Sequence, residues 1–356
     1  MSSLLSVIVP NYNYATYLRA CLDSAIALRY EPKEIIVVDD GSTDNSREII
    51  REYEAAGKIS AIYKENGGQP DAVNLGFERA RGEMIYILDS DDVVFPHMLE
   101  QVLPLWTART SKIQFSLESI DQHGQLLGSV FPNYHTPRSP AELRRSVITT
   151  GEYQSPPTSG NLYARSYLQH VLPVDRARFR FSDGPLNAVA PLYGDVASFA
   201  TPLGQYRMHT QNQWGRATFN PRSYTTALRH NIALDTFVIE HARELGIAID
   251  AKLGDHAPWA LQYRMASVCL NPNEHPTDET PRDVARLGVT AVTLSGSLTL
   301  AQKAVMIAWF TGMAVAPARL QEELTKLRFL PSYRPAFLGK TLRFVGALKR
   351  PASHPS

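Results

Sequence analysis

The chain has 356 residues, with 36 Lys+Arg against 35 Asp+Glu, and 44% of its residues are apolar while 20% are charged. That mixture belongs to folded globular proteins, and it excludes a disordered chain, a collagen-like repeat and a polybasic nucleic-acid arm. Near neutrality hides an asymmetry: residues 301–356 carry nine Lys/Arg and two Glu, a net +7, which leaves −6 for the first 300 residues.

The apolar run from Leu4 has no basic segment before it and ends at Pro10. It predicts a strand, Leu5–Val9, rather than a signal peptide or a membrane span. Leu18, Cys21, Leu22, Ala25 and Ile26 then fall on one helical face, which makes Cys21 a buried thiol. Cys21 and Cys269 give neither a disulfide framework nor a metal-ligand spacing, and a reducing cytoplasm fits them. Glu34–Val38 predicts a strand buried on both faces. Capping residues within Asp39–Asp44 open a helix carrying Ile49, Ile50 and Tyr53, which closes near Gly57. A strand over Ile59–Tyr63, a helix from Pro70 to Gly82 and a strand over Met84–Leu88 follow. This alternation predicts a doubly wound, mostly parallel α/β sheet with its ligand chemistry at the strand C-terminal ends.

Further on, Lys112–Leu117 predicts a strand, and Ser139-Pro140-Ala141-Glu142 a helix start with Ser at the N-cap. Residues 151–160 read as a loop, and beyond about residue 216 the pattern is mainly helical. We therefore expect a domain over 1–215, a helical region over 216–300 and a basic, partly amphipathic tail over 301–356.

Two acidic clusters, Asp39/Asp40 and Asp89/Asp91/Asp92, each follow an apolar strand, so the fold would gather them at one sheet edge. Like charges that close repel unless a cation or hydrogen-bond donors neutralise them. A divalent metal with a phosphorylated ligand is one resolution; helix capping by Asp40, Ser42 and Asp44 is the other. Asn66-Gly67-Gly68-Gln69-Pro70 allows close backbone approach but matches neither a dinucleotide fingerprint nor a P-loop. Asp183, before Gly184-Pro185, and His209, in Tyr206-Arg207-Met208-His209, would by residue type alone serve a turn and a structural contact.

Together these segments resemble the family 2 glycosyltransferases of the GT-A fold. Ser6–Asn13 is similar to the family's opening strand, Val37–Asp44 to its second-strand signature, Asn66–Gly76 to its third segment and Leu88–Asp92 to its DxD motif. The resemblance implies that Pro10, Asn11 and Tyr12 lie along the donor nucleoside and that Asp40 meets the base. It implies donor contacts from Gly68, Gln69, Asn74 and Ser90. Asp89 would reach the ribose side and share the metal, Mn²⁺ or Mg²⁺, with Asp91 and His209. Asp183 matches the acidic general base, although Ser182 stands where the family often keeps a first acid; Asp195 and Glu152 are the reserve candidates.

The reaction so implied is inverting, metal-dependent transfer of one sugar from a nucleoside diphosphate sugar, a UDP-sugar foremost, to a saccharide or lipid-linked hydroxyl. Bacterial-type surface polysaccharide or glycoconjugate synthesis is the expected setting, without nucleic acid. Gln211-Asn212-Gln213-Trp214 only faintly echoes the motif of the polymerising members. The apolar stretch Ala304–Ala316 is shorter than the roughly 20 residues of a span, so a membrane-embedded synthase is not expected. In a protein expected to be cytoplasmic, the tail's mixture of basic and aromatic residues suits either peripheral contact with the inner membrane face or packing as a helical extension of the domain with its charges solvated. The alternatives are a sugar nucleotidyltransferase and an inactive donor-binding scaffold on the same fold.

Overall fold

The computed structural model describes residues 3–134, 137–209, 219–296, 298–330 and 333. The first hundred residues run β1 (Leu5–Asn11), α1 (Ala15–Ile26), β2 (Lys33–Asp40), α2 (Ser46–Ala55), β3 (Ser60–Lys64), α3 (Gln69–Arg79) and β4 (Met84–Ile87). Ile35, Ile36, Val37 and Val38 are buried on both faces of the sheet, as a parallel strand under helices requires. β1 pairs parallel with β2 and β4, and β2 with β3. The register sets Asn11 beside Asp39 and Asp40 beside Lys64, so the strand C-terminal ends form one polar row.

Side-chain parity sorts the core. Leu5, Val7 and Val9 face Leu18, Cys21, Leu22 and Ile50 on one side. Ile8, Ile36 and Val38 face Ala72 and Val73 on the other. Gly76 lets α3 lie close to the sheet: a Cβ there would come 2.4 Å from Ile8 Cγ2. Asp44 stabilises two helix starts at once, accepting from Ser46 N at 3.0 Å and Ala15 N at 2.9 Å.

The chain continues through β5 (Val93–Val94), α4 (Met98–Val102), β6 (Thr110–Ile120), β7 (Leu126–Phe131), α5 (Pro140–Thr150), β8 (Asn161–Ala164), α6 (Arg165–Leu168), α7 (Asp183–Ala188), α8 (Ala190–Tyr193) and β9 (Asp195–Arg207). The order across the sheet is β3-β2-β1-β4-β8-β6-β9-β5, with β7 added beside β6. β8 enters antiparallel between β4 and β6, while the long β6–β9 pair is parallel. The fold is thus the expected GT-A-like α/β arrangement. The antiparallel insertions carry the chain back over the sheet, and β9 delivers Arg207 and His209 to the acidic turn after β4. α5 begins with the capping box read from sequence, Ser139 and Glu142 bonding each other's backbone N–H.

Beyond residue 219 come α9 (Pro221–Glu244), α10 (Ala260–Leu270), α11 (Pro281–Leu294), α12 (Leu300–Val315) and α13 (Ala318–Phe329). Val238 and Ala242 of α9 join the core beneath the sheet. α10–α13 build a separate apolar cluster around Leu261, Met306, Trp309 and Phe310. Trp309 Nε1 donates to Leu324 O at 3.1 Å, which fixes α13 to α12. Among the described residues no helix is long and apolar enough to cross a membrane. Gln211–Trp214 and residues 334–356, which carry five of the tail's nine Lys/Arg, lie outside the described residues.

Candidate active site at the C-terminal edge of the sheet

The loops after β1 and β2 brace each other. Asn11 Nδ2 donates to Asp39 Oδ1 at 3.3 Å and to Ser42 Oγ at 3.1 Å. Asn13, held at φ 59°, accepts from Thr43 N at 2.7 Å. Asp39 accepts from Arg47 Nε at 2.7 Å, which leaves its buried carboxylate paired. Asp40 accepts from Lys64 Nζ, from Gly67 N at 2.9 Å and from Gly68 N at 2.7 Å. Gly68 takes φ +93°, a conformation that favours glycine, and so turns its N–H onto this carboxylate. Pro10 is buried at the end of β1, while the Tyr12 ring stands 44% exposed beside this floor, open to a planar ligand.

Next to it, β4 runs into Asp89-Ser90-Asp91-Asp92. Burial, then the carboxylates of Asp91 and Asp183, raises the Asp89 carboxyl to about 7. Asp92 is likewise pushed well up by burial and by its two acidic neighbours. His209 Nε2 lies 2.9 Å from Asp91 Oδ2, and its ring stacks on Tyr17 at 5.0 Å between centroids. Tyr14 meets the His209 ring edge-on, and its hydroxyl is raised by burial and then by Asp91 and Asp89. Arg207 ties the turn down: its N–H donates to Asp92 Oδ1 at 2.9 Å and its Nε to Asp91 O at 2.8 Å, while its guanidinium lies over Tyr17.

Among the described residues no group of three or more His, Cys, Asp or Glu side chains is arranged as a complete metal site. The donor chemistry nevertheless fits a divalent cation completed by an outside ligand. Asp91 and His209 supply one carboxylate and one imidazole, and nearby Ser90 Oγ and Asp92 Oδ2 are buried with no hydrogen-bond partner among the described residues. A cation there would also relieve the repulsion that lifts Asp89 and Asp92.

Asp183 opens α7, is 7% exposed, and accepts from Gly184 N at 2.9 Å. Its neighbour Ser182 is tied to Asp89 through Gln69. Gln69 Oε1 accepts from Ser182 N at 2.9 Å and from Ser182 Oγ at 3.0 Å, while Nε2 donates to Asp89 Oδ1 at 3.4 Å. Ser182 is therefore the anchor of the Asp183 loop. The structure thus brings together Asp89, Asp91, His209, Gln69 and Asp183.

Other expected residues lie apart from this group. Asn74 uses both ends of its amide on the backbone of Val174, at 2.9 Å each, and acts as a clasp between α3 and the segment before α7. Asp195 pairs with Arg109 at the start of the 13-residue β9, the end away from His209. Glu152 lies beyond α5, its carboxyl raised to about 8 by burial and then by Asp235. The reading by residue type missed Arg207, Tyr14, Tyr17 and the buried Lys112. Only the Tyr206–His209 segment carried a signal for any of them.

A sequence profile of the family described as "Glycosyl transferase family 2" matches residues 6–170. An uncharacterised glycosyltransferase of Nostoc sp. is 35% identical over 213 residues, covering 58% of this chain and 66% of its own. One from Rickettsia prowazekii is 38% identical over 135 residues, covering 37% and 42%. The chain therefore spans just under two thirds of the first relative and less than half of the second. The crystal structure of Staphylococcus aureus TarS 1-349 in complex with UDP-GlcNAc superposes with a TM-score of 0.57 at 16% identity, covering 91% of this chain and 90% of that one, a likeness of fold. Residues 6–170, with the motifs at the ends of β1, β2 and β4 in their expected order, match glycosyl transferase family 2.

Proposed function

We propose that the protein transfers one sugar, with inversion, from a nucleoside diphosphate sugar to a hydroxyl acceptor. The observation that carries this reading is the Gln69 bridge. Gln69 reaches Asp89 on one side and, across 113 residues of sequence, Ser182 of the Asp183 loop on the other, so that a donor-side and an acceptor-side carboxylate share one site. The UDP-GlcNAc complex of the structural neighbour supports a UDP-sugar as the donor.

In this reading the exposed Tyr12 ring and the braced Asn11–Ser42 floor receive the nucleoside, with Pro10 shaping the strand end and Asp40 offering its remaining lone pairs to the base. Gly68 permits close backbone approach, and Asp89 and Ser90 meet the ribose and diphosphate. Asp91 and His209 would hold Mn²⁺ or Mg²⁺, which when bound supplies Lewis-acid neutralisation of the diphosphate leaving group. Asp183 accepts the proton of the acceptor hydroxyl as its oxygen bonds to the anomeric carbon. The bond from that carbon to the diphosphate oxygen breaks on the opposite face, and the diphosphate leaves with the electron pair. No enzyme nucleophile is needed. The nucleotidyltransferase alternative has no counterpart in the family match, and the inactive-scaffold alternative is settled by assay.

The proposal extends to location: a cytoplasmic enzyme whose segment 301–356 touches an anionic membrane surface while the site meets a saccharide or lipid-linked acceptor in surface glycoconjugate synthesis. The tail's net +7 supports it. Because Met306, Trp309 and Phe310 are buried, the contact would fall to the charges and to exposed Leu300, Val315 and Leu320.

The testing experiment is release of nucleoside diphosphate from UDP-GlcNAc and a panel of other nucleotide sugars in Mn²⁺. Turnover is expected in Mn²⁺, with most of it lost in chelator and in Asp91→Asn, because a neutral amide is a poorer ligand for a hard cation. Equal turnover in chelator would remove the metal from the account, and no release from any donor would favour the scaffold.

A further inference from the structure

Lys112 is an ionisable side chain near the start of β6, 0% exposed, at a position where a strand buried on both faces ordinarily holds an apolar residue. Its Nζ reaches Asn187 Oδ1 at 2.7 Å and Asn161 Oδ1 at 3.0 Å, and sits 5.0 Å from the centre of the Tyr153 ring. The orientation of both amides is fixed by backbone carbonyls, which only accept. Asn161 Nδ2 donates to Pro157 O at 2.8 Å, and Asn187 Nδ2 to Pro156 O at 3.3 Å. Both amide oxygens therefore face the amine. Two acceptors and an aromatic face suit the three donors of an ammonium and leave no donor for the lone pair of a neutral amine. Burial pushes the amine down, and the field of the Asp183 carboxylate pulls the other way; the charged form, which the two acceptors and the ring face suit, is part of the proposal that follows.

The two asparagines lead to the two halves of the proposed site. Asn187 lies one turn after Asp183 on α7, and its side-chain oxygen also accepts from Tyr163 OH at 3.0 Å. Tyrosine hydroxyls hold the end of that helix, Tyr153 OH donating to Asn187 O at 2.7 Å and Tyr167 OH to Leu186 O at 2.6 Å. Asn161 braces the 156–160 loop, whose Ser159 Oγ accepts from Asp89 N at 3.1 Å. A short helix of six residues has little stability of its own, so its position depends on such contacts.

We propose that Lys112 is a positioning residue for Asp183, its buried ammonium clamping the helix that begins with Asp183 to the loop that supports Asp89. The inference rests on Asp183 being the base. The titratable groups facing the ammonium are Tyr153, Tyr163 and Asp183; Asp89 faces Asp183 from the donor side, and His230 of α9 packs against Gly184 at 3.2 Å from the place of a Cβ. Lys112 is the cation among them, so its field favours the Asp183 carboxylate.

The test is Lys112→Met, with Asn187→Leu as a second variant that cuts the clamp at its other end, assayed on the nucleotide sugar turned over above. For Lys112→Met we expect kcat lower by roughly 10- to 100-fold, as misplacement of a reacting group brings, with the donor KM within about threefold. The acid limb of the kcat/KM profile is expected at higher pH, because the carboxylate has lost its buried counter-charge. Asn187→Leu keeps the cation, so it should lower kcat with the limb in place. A folded Lys112→Met that keeps kcat, or loses it with the limb unmoved, overturns the proposal. If Lys112→Met does not fold, a folded Asn187→Leu with unchanged kcat overturns it equally. Asp183→Asn, run alongside, separates the two claims: full transfer in that variant removes the base itself, whereas lost transfer there with a normal Lys112→Met removes only the clamp.

Discussion

Gln69→Leu is the perturbation whose cost the structure defines most closely. Leucine nearly fills the volume of the glutamine but removes its hydrogen-bonding ends. Ser182 is 0% exposed, so its backbone N–H, 2.9 Å from Gln69 Oε1, has no water to turn to. A buried donor left unmade costs about 1–3 kcal/mol. The Ser182 hydroxyl, at 3.0 Å from the same oxygen, adds about 1 kcal/mol, less than a fixed N–H because it can rotate to another acceptor. The 3.4 Å contact from Nε2 to Asp89 is long and contributes least, yet it holds down a carboxyl already raised to about 7. The sum, about 2–4 kcal/mol, exceeds what the Asp183 loop can absorb in place. We therefore expect the loop to shift until Ser182 reaches water. That would lower kcat/KM by roughly 10- to 100-fold, since 1.4 kcal/mol is a factor of ten. The assay is nucleoside diphosphate release with melting curves on the same preparation. Turnover within twofold of the parent and an unchanged melting temperature would refute the bridge as a working contact.

Two further outcomes follow from other parts of the molecule. Glu152 is raised to about 8 by burial and then by Asp235, itself raised to about 7. Both bind more protons folded than unfolded, so their contribution to stability is full below the ordinary carboxyl range and is lost as pH rises towards 8. Glu152→Gln should therefore flatten the fall of melting temperature between pH 5 and 8 and be the more stable chain at pH 8; a variant no more stable there contradicts the assignment. For the tail, full-length protein should bind anionic vesicles in a salt-sensitive way, and truncation after Leu330 should weaken this while α13 stays packed. Equal recovery with neutral and anionic vesicles at low salt would leave the tail without a membrane role.

The amino-terminal half was legible because its periodicities are clean. The apolar runs of β1, β2 and β4, separated by one-faced helices, admit few other arrangements, and the burial of Cys21 followed from the same face. β8 and β9 were not legible. β8 is four residues long and carries the inward polar Asn161, and β9 is interrupted by Pro202 and Gly204, so neither shows an alternating pattern. Both are strands because β6 and β4 offer them edges distant in sequence.

The site divides in the same way. Asp89, Asp91, Asp183 and His209 were named through the motif resemblance, and the fold gathers them. What holds them was hidden, because it consists of long-range pairs. Gln69 looked like a donor contact in a glycine-rich turn until Ser182 supplied its partner. Asn74 looked the same until Val174 used both ends of its amide. A lone lysine in an apolar strand reads as a solvent-facing residue, and only the approach of Asn161 and Asn187 makes Lys112 an interior cation.

The central claim is that one site binds the donor on Asp89 and Asp91 and uses Asp183 on the acceptor. Its most direct test is sugar transfer by Asp183→Asn, with donor affinity measured by titration of the same nucleotide sugar. Transfer should fall by ~10²–10⁴-fold, the usual loss when a general base is removed, while the affinity stays near that of the parent chain. Normal transfer in that variant would contradict the account.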